Sequence, residues 1–118
     1  MKAIQYKKFG IENLVLTEVA TPVPAPHEVL VKVEAAGLNF LDVALVGGMY
    51  NPAKELPATP GADGAGVVAA VGTAVTRWKP GDRVTTHFVQ NWQHGLNTPV
   101  TNKIRTGVNT PGVLSEYI

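Results

Sequence analysis

Apolar and polar positions alternate along this chain in short runs, broken by glycine and proline. Residues 2–7 (Lys-Ala-Ile-Gln-Tyr-Lys) alternate with a period of two and predict a half-buried strand. Residues 14–19 predict a second. Proline at every second position from Pro22 to Pro26 fixes φ and removes donors, so this segment predicts an extended connector. Residues 28–36 predict the clearest strand, with Val29, Val31 and Val33 on one face and Leu30, Lys32 and Glu34 on the other. Gly37 ends it. Residues 39–46 suit one short helix, with Asn39 as N-cap and Asp42 at the third helical position, where an acid favours the N-terminus. Gly47-Gly48 stops the helix, and residues 49–60 show no period.

The run from Gly64 to Gly72 predicts a strand thin in side chains, a sign that another backbone approaches it closely. Lys79-Pro80-Gly81 predicts a turn and residues 82–88 a further strand. Residues 89–112 read as loop, and residues 113–117 as a last strand. The fold class expected is mainly β, a small, partly open β-barrel with one short helix.

Length and composition narrow the function. The chain has 118 residues, so it is one domain or part of one. Hydrophobic residues make up 45% and charged residues 16%, enough apolar material for a core. The formal charge is +1 with acids and bases interleaved, which argues against phosphate-driven nucleic-acid binding. Without cysteine there is no disulfide, thiolate catalysis, iron–sulfur cluster or cysteine-based zinc site. A cysteine-free chain suits a reducing, cytoplasmic compartment. No apolar run approaches membrane-spanning length, and Met1-Lys2-Ala3-Ile4 leads into strand pattern rather than a secretory leader.

Four constellations could carry chemistry. Gly64-Ala65-Gly66-Val67-Val68-Ala69 matches the spacing of a dinucleotide-binding turn, but Pro60-Gly61 precedes it and β-branched residues follow, so close strand packing is the better reading. His27, His87 and His94 have no metal-binding spacing. Ser115, the only serine, lacks a strained nucleophile elbow. Asn39, Asp42 and Tyr50 cluster around the helix. Asn39 either caps the helix or lines a pocket, and Tyr50 either packs or faces a ligand.

The order of segments resembles the N-terminal, GroES-like part of the catalytic domain of medium-chain dehydrogenases/reductases, in their zinc-independent, quinone oxidoreductase-like branch. The residues that carry the likeness are Pro26-His27-Glu28-Val29-Leu30-Val31-Lys32-Val33, Ala35-Ala36-Gly37-Leu38-Asn39-Phe40-Leu41-Asp42, Gly48-Met49-Tyr50, Pro60 to Val68, Lys79-Pro80-Gly81-Asp82-Arg83-Val84 and Gly112 to Tyr117. The likeness implies a GroES-like barrel over residues 1–118 and an oxidoreductase that passes hydride between NADPH or NADH and a carbonyl, quinone or activated alkene. It implies that Asn39 and Tyr50 face substrate and nicotinamide, that Asp42, Trp92 and His94 border the pocket, and that Asp63 fixes its loop.

Zinc-dependent members place a cysteine ligand at the position of Asn39 and a histidine at that of Ala62, so the likeness implies no zinc here. It also implies a nucleotide-binding Rossmann domain following this unit, absent from these residues, and a homodimer when complete. The chain alone is then expected to be inactive. The rival expectation is a non-catalytic, co-chaperonin-like β-barrel module, which would form a discrete ring.

Overall fold

The computed structural model describes residues 1–90, 92, 94–99 and 103–118. Positions 91, 93 and 100–102 of the expected loop lie outside the described residues. Strand β1 (Lys2–Tyr6) runs antiparallel to β2 (Leu14–Glu18), with a 3-10 turn at Ile11–Asn13 between them. The second sheet has three antiparallel strands in the order β3 (Val29–Gly37), β4 (Asp63–Val71), β5 (Arg83–Thr85). Helix α1 (Phe40–Val46) follows β3. Among the described residues the chain is mostly β, in two open sheets with one α-helix.

The alternation read from β3 holds only in part. Val31 is buried and Lys32 exposed, but register shifts at Leu30/Val31 and Val33/Ala35 interrupt the two-residue period, and Val29 and Val33 are half-buried.

Two expected strands come out differently. The strand expected over 82–88 stops at Thr85, because the Thr86 hydroxyl accepts the Gly64 N–H at 3.0 Å and so replaces a ladder bond. The segment 113–117 forms bridges rather than a continuous strand. Ser115 bridges to Ala3 of β1, and Tyr117 bridges to Lys32 of β3. Ile4 N–H donates to the Leu114 carbonyl on one side, and Val31 N–H to the Ile118 carbonyl on the other. The segment changes partner midway, so neither ladder becomes long, and it ties the two sheets together.

The glycines of β4 behave as their spacing suggests for close packing. A Cβ on Gly66 would sit 1.9 Å from the Lys32 carbonyl oxygen, and one on Gly64 would sit 2.9 Å from Val113. Both lie within a strand, so they do not turn a strand into a helix and form no pyrophosphate cradle. A compact apolar cluster of Tyr6, Val46 and Ala58, with Phe9, Leu14 and Leu56 against it, anchors α1 on the first sheet.

Candidate active site

Helix α1 is set by its first turn. Asn39 has extended backbone and stands in a capping-box relation to Asp42. The Asn39 backbone N–H donates to Asp42 Oδ2 at 2.8 Å, and the Gly61 N–H donates to Asp42 Oδ1 at 3.1 Å. Asp42 is 5% exposed, and each carboxylate oxygen has a backbone donor. Its geometry is that of a clamp between the helix N-terminus and the loop before β4.

The Asn39 side chain points outward from this clamp. Its Nδ2 donates to Asp63 Oδ2 at 2.8 Å. A carboxylate can only accept, so this bond fixes which way the amide faces. One amide proton is spent on Asp63, and the second is left to donate. Asp63 opens β4 opposite Gly37, so the sheet register holds the amide in place.

Tyr50 lies at the other end of α1, its N–H bonded to the Ala44 carbonyl at 3.1 Å. Seven helical residues separate the two ends by about 10 Å. Its hydroxyl accepts from Arg105 Nη1 at 2.8 Å, and the guanidinium carbon stands 5.9 Å from the ring centroid. Large apolar side chains flank both polar groups: Leu38 and Phe40 beside Asn39, and Met49 beside Tyr50, all strongly exposed. Arg105, Leu38 and Phe40 were not among the site residues expected from sequence. The two apolar residues could have been found as immediate neighbours of Asn39; Arg105 had no local signal.

Trp92 and His94 are not brought to this helix by any bond among the described residues. Trp92 donates Nε1–H to the Gly95 carbonyl at 3.1 Å and packs edge-on against His87, 6.1 Å between centroids. His87 Nδ1 is 2.8 Å from the Val89 carbonyl oxygen, and His27 and His94 are exposed. The Ser115 hydroxyl donates to the Tyr117 carbonyl at 2.8 Å. Among the described residues no three His, Cys, Asp or Glu side chains converge as metal ligands. A cleft of about 1290 Å³ opens elsewhere, between residues such as Gln5, Thr59, His87, Gln90, Thr106 and Tyr117. None of the expected site residues lines it.

Residues 25–118 match the model of the alcohol dehydrogenase GroES-like domain. The chain belongs to this family. Among curated proteins it is 43% identical to a quinone oxidoreductase of Lama guanicoe over 88 residues, which is 73% of this chain and 27% of that protein. It therefore spans about a quarter of the length of the curated relatives it matches. Among solved structures, the cobalt- and zinc-bound thermostable alcohol dehydrogenase of Pyrobaculum aerophilum superposes with TM-score 0.87 at 34% identity, covering 100% of this chain and 38% of that one. The Escherichia coli quinone oxidoreductase complexed with NADPH superposes with TM-score 0.68 at 37% identity, covering 72% of this chain and 26% of that one. The relatives are oxidoreductases of both kinds, and the GroES-like unit is their common part here.

At the two positions that the likeness marked for zinc ligands stand Asn39, whose amide is engaged by Asp63, and Ala62, which is 3% exposed and whose side chain has no donor atom. These side chains do not fit a zinc ion. Among the described residues no helix is long and apolar enough to cross a membrane.

Proposed function

We propose that this GroES-like unit is the substrate-side portion of a zinc-independent, NAD(P)H-dependent oxidoreductase acting on a carbonyl, quinone or activated alkene. The observation that carries the reading is the Asn39 amide. Asp63 accepts a hydrogen bond from one of its N–H groups and leaves the other free to donate at the helix end, where the neighbouring residues Leu38 and Phe40 are exposed. Negative charge that develops on a substrate oxygen is stabilised by fixed donors of this kind, each worth roughly 10²–10³ in rate. Tyr50, about 10 Å away at the other end of α1, presents an exposed hydroxyl to another part of the substrate. A bound nicotinamide would supply the hydride; the glycine run with dinucleotide-turn spacing is packed inside β4 and would not hold its pyrophosphate. A mixed surface of apolar side chains and neutral donors suits a flat, conjugated substrate, and the Asn39 donor takes the place of a Lewis acid. The cysteine-free sequence suits a reducing, cytoplasmic setting.

The test is quinone-dependent consumption of reduced nicotinamide by the protein that carries this chain together with a nucleotide-binding portion. Turnover that survives exhaustive chelation, with no stoichiometric zinc by elemental analysis, is the expected result. Turnover abolished by chelation and restored by zinc would overturn it. The isolated chain is expected to turn over no quinone.

A further inference from the structure

Arg105 carries a charge for which the structure gives no counter-charge. Among the described residues the ion pairs join the N-terminal amine to Glu18 and Lys79 to Asp82, and Arg105 is in neither. The undescribed residues, Asn91, Gln93, Val100, Thr101 and Asn102, include no side-chain carboxylate. Among the described residues the buried Arg105 Nε has no hydrogen-bond partner. A buried donor on a charged group is ordinarily matched by an acceptor, so an acceptor is wanting here.

The arginine is also held firmly. Its N–H donates to Asn109 Oδ1 at 2.7 Å, and its carbonyl accepts from the N–H groups of Val108 and Asn109, both at 3.1 Å. Arg105 bridges to Val89 on its other side. A second cation, Lys54, is bound to the same turn through the Val108 carbonyl and likewise has no ion pair among the described residues. Burial pushes the Lys54 ammonium below its ordinary pKa.

The Arg105–Tyr50 bond has a direction. A guanidinium only donates, so the Tyr50 oxygen accepts and its own proton is turned away from Arg105. Tyr50 is exposed, and that proton is available to a ligand. Phenol and guanidinium thus present donors side by side at the end of α1. A neutral carbonyl oxygen would be satisfied by Tyr50 alone. An unpaired guanidinium beside it calls for an anion, and a planar carboxylate suits a planar guanidinium better than it suits an ammonium.

We infer that Tyr50 and Arg105 form a carboxylate-recognition site, so that the substrate is a carbonyl compound or conjugated alkene that also bears a carboxylate. The substrate assignment rests on the proposed oxidoreductase reading; the anion site itself does not. Arg105 binds the anionic group and fixes the Tyr50 hydroxyl, and it takes no part in bond breaking.

The experiment is a titration of the full chain with benzoate, with neutral benzamide and with inorganic phosphate, followed by NMR at the Arg105 side-chain Nε–H and the Tyr50 ring. Benzoate should shift both saturably and benzamide should not. R105Q should weaken benzoate binding by about tenfold or more, the loss of one charge-assisted contact, and R105K should retain part of it. Equal responses to benzoate and benzamide, or R105Q binding like the wild type, would overturn the site. Saturable phosphate binding without benzoate binding would overturn its carboxylate identity. If R105Q does not fold, Y50F decides, since it keeps the guanidinium and removes only the hydroxyl: a several-fold loss supports the pair, and unchanged binding overturns it. No nicotinamide is present, so failure here leaves the oxidoreductase reading standing, and failure of chelation-resistant turnover leaves this site standing.

Discussion

Asn39 and Asp63, 24 residues apart, are joined by one side-chain bond of 2.8 Å that sets the outward face of the helix N-terminus. Asp42, buried beneath it, sets the inward face. The pair divides the labour at this turn: Asp42 holds backbone, and Asp63 holds the amide.

Asp42→Ala should therefore unfold the unit more readily. It leaves the Gly61 N–H without its acceptor and removes the bond to the Asn39 N–H. The expected loss is on the order of 3 kcal/mol, from a buried unsatisfied donor and a weakened cap together. Urea unfolding checks it. Stability within a few tenths of a kilocalorie of wild type would mean that Asp42 serves the pocket and not the frame.

Gly66→Ala should be among the most damaging single changes in the chain. The added methyl would sit 1.9 Å from the Lys32 carbonyl oxygen, and that oxygen is backbone in the facing strand and cannot swing aside. Overpacking of this kind costs on the order of 3 kcal/mol. Circular dichroism and thermal melting of G66A should show loss of the cooperative transition or a large fall in its midpoint. A wild-type melt would show that β3 and β4 are farther apart than described.

Tyr6→Phe should do the opposite. Tyr6 is fully buried, its hydroxyl has no partner, and burial raises its pKa above the ordinary phenol value. Removing a buried, unsatisfied hydroxyl while keeping the ring should leave stability unchanged or raise it by about 1 kcal/mol. Destabilisation by more than that amount would show that the hydroxyl is hydrogen-bonded, most simply to a water.

The turn before β5 should give way in acid. The Asp82 carboxyl is held below its ordinary value of 3.8, first by the side-chain hydrogen bond from Lys79 and then by the Lys79 backbone N–H. A carboxyl whose folded pKa is depressed contributes stability above the unfolded pKa and loses it as pH falls through the folded one. The melting-point gap between wild type and Asp82→Asn should be steady above about pH 4 and shrink below it. A gap independent of pH would contradict the Lys79–Asp82 pairing.

The sequence disclosed the frame of this molecule through local signals. Asn39 and Asp42, three residues apart, mark a helix start because capping is local, and α1 begins at Phe40. Gly66 and Gly72 mark close backbone contact, and Gly64 a close contact with the Val113 side chain, because nothing larger fits. What the sequence hid is long-range. The segment 113–117 has strand composition, but its switch from β1 to β3 depends on where two sheets lie. The end of β5 at Thr85 depends on a hydroxyl 22 residues from its partner. Arg105 is 55 residues from Tyr50, in a segment with no period, and no spacing rule could join them. The likeness to the family supplied Asn39 and Tyr50 as candidates; the bonds to Asp63 and Arg105 show how each is held.

The central claim is that Asn39 presents a donor to the reacting substrate oxygen and that Tyr50, about 10 Å away at the other end of α1, binds another part of the same substrate. The most direct measurement is the turnover of Asn39→Ala and Tyr50→Phe in the protein that joins this chain to a nucleotide-binding portion, with unfolding free energy measured on the same samples. Asn39→Ala should lower quinone or carbonyl turnover by roughly 10²-fold or more while costing only about 1 kcal/mol of stability, and Tyr50→Phe should lower turnover in the same direction with stability nearly unchanged. Turnover equal to wild type in both variants, with the kilocalorie still lost in Asn39→Ala, would show that Asn39 is a helix cap and nothing more, and would contradict the claim.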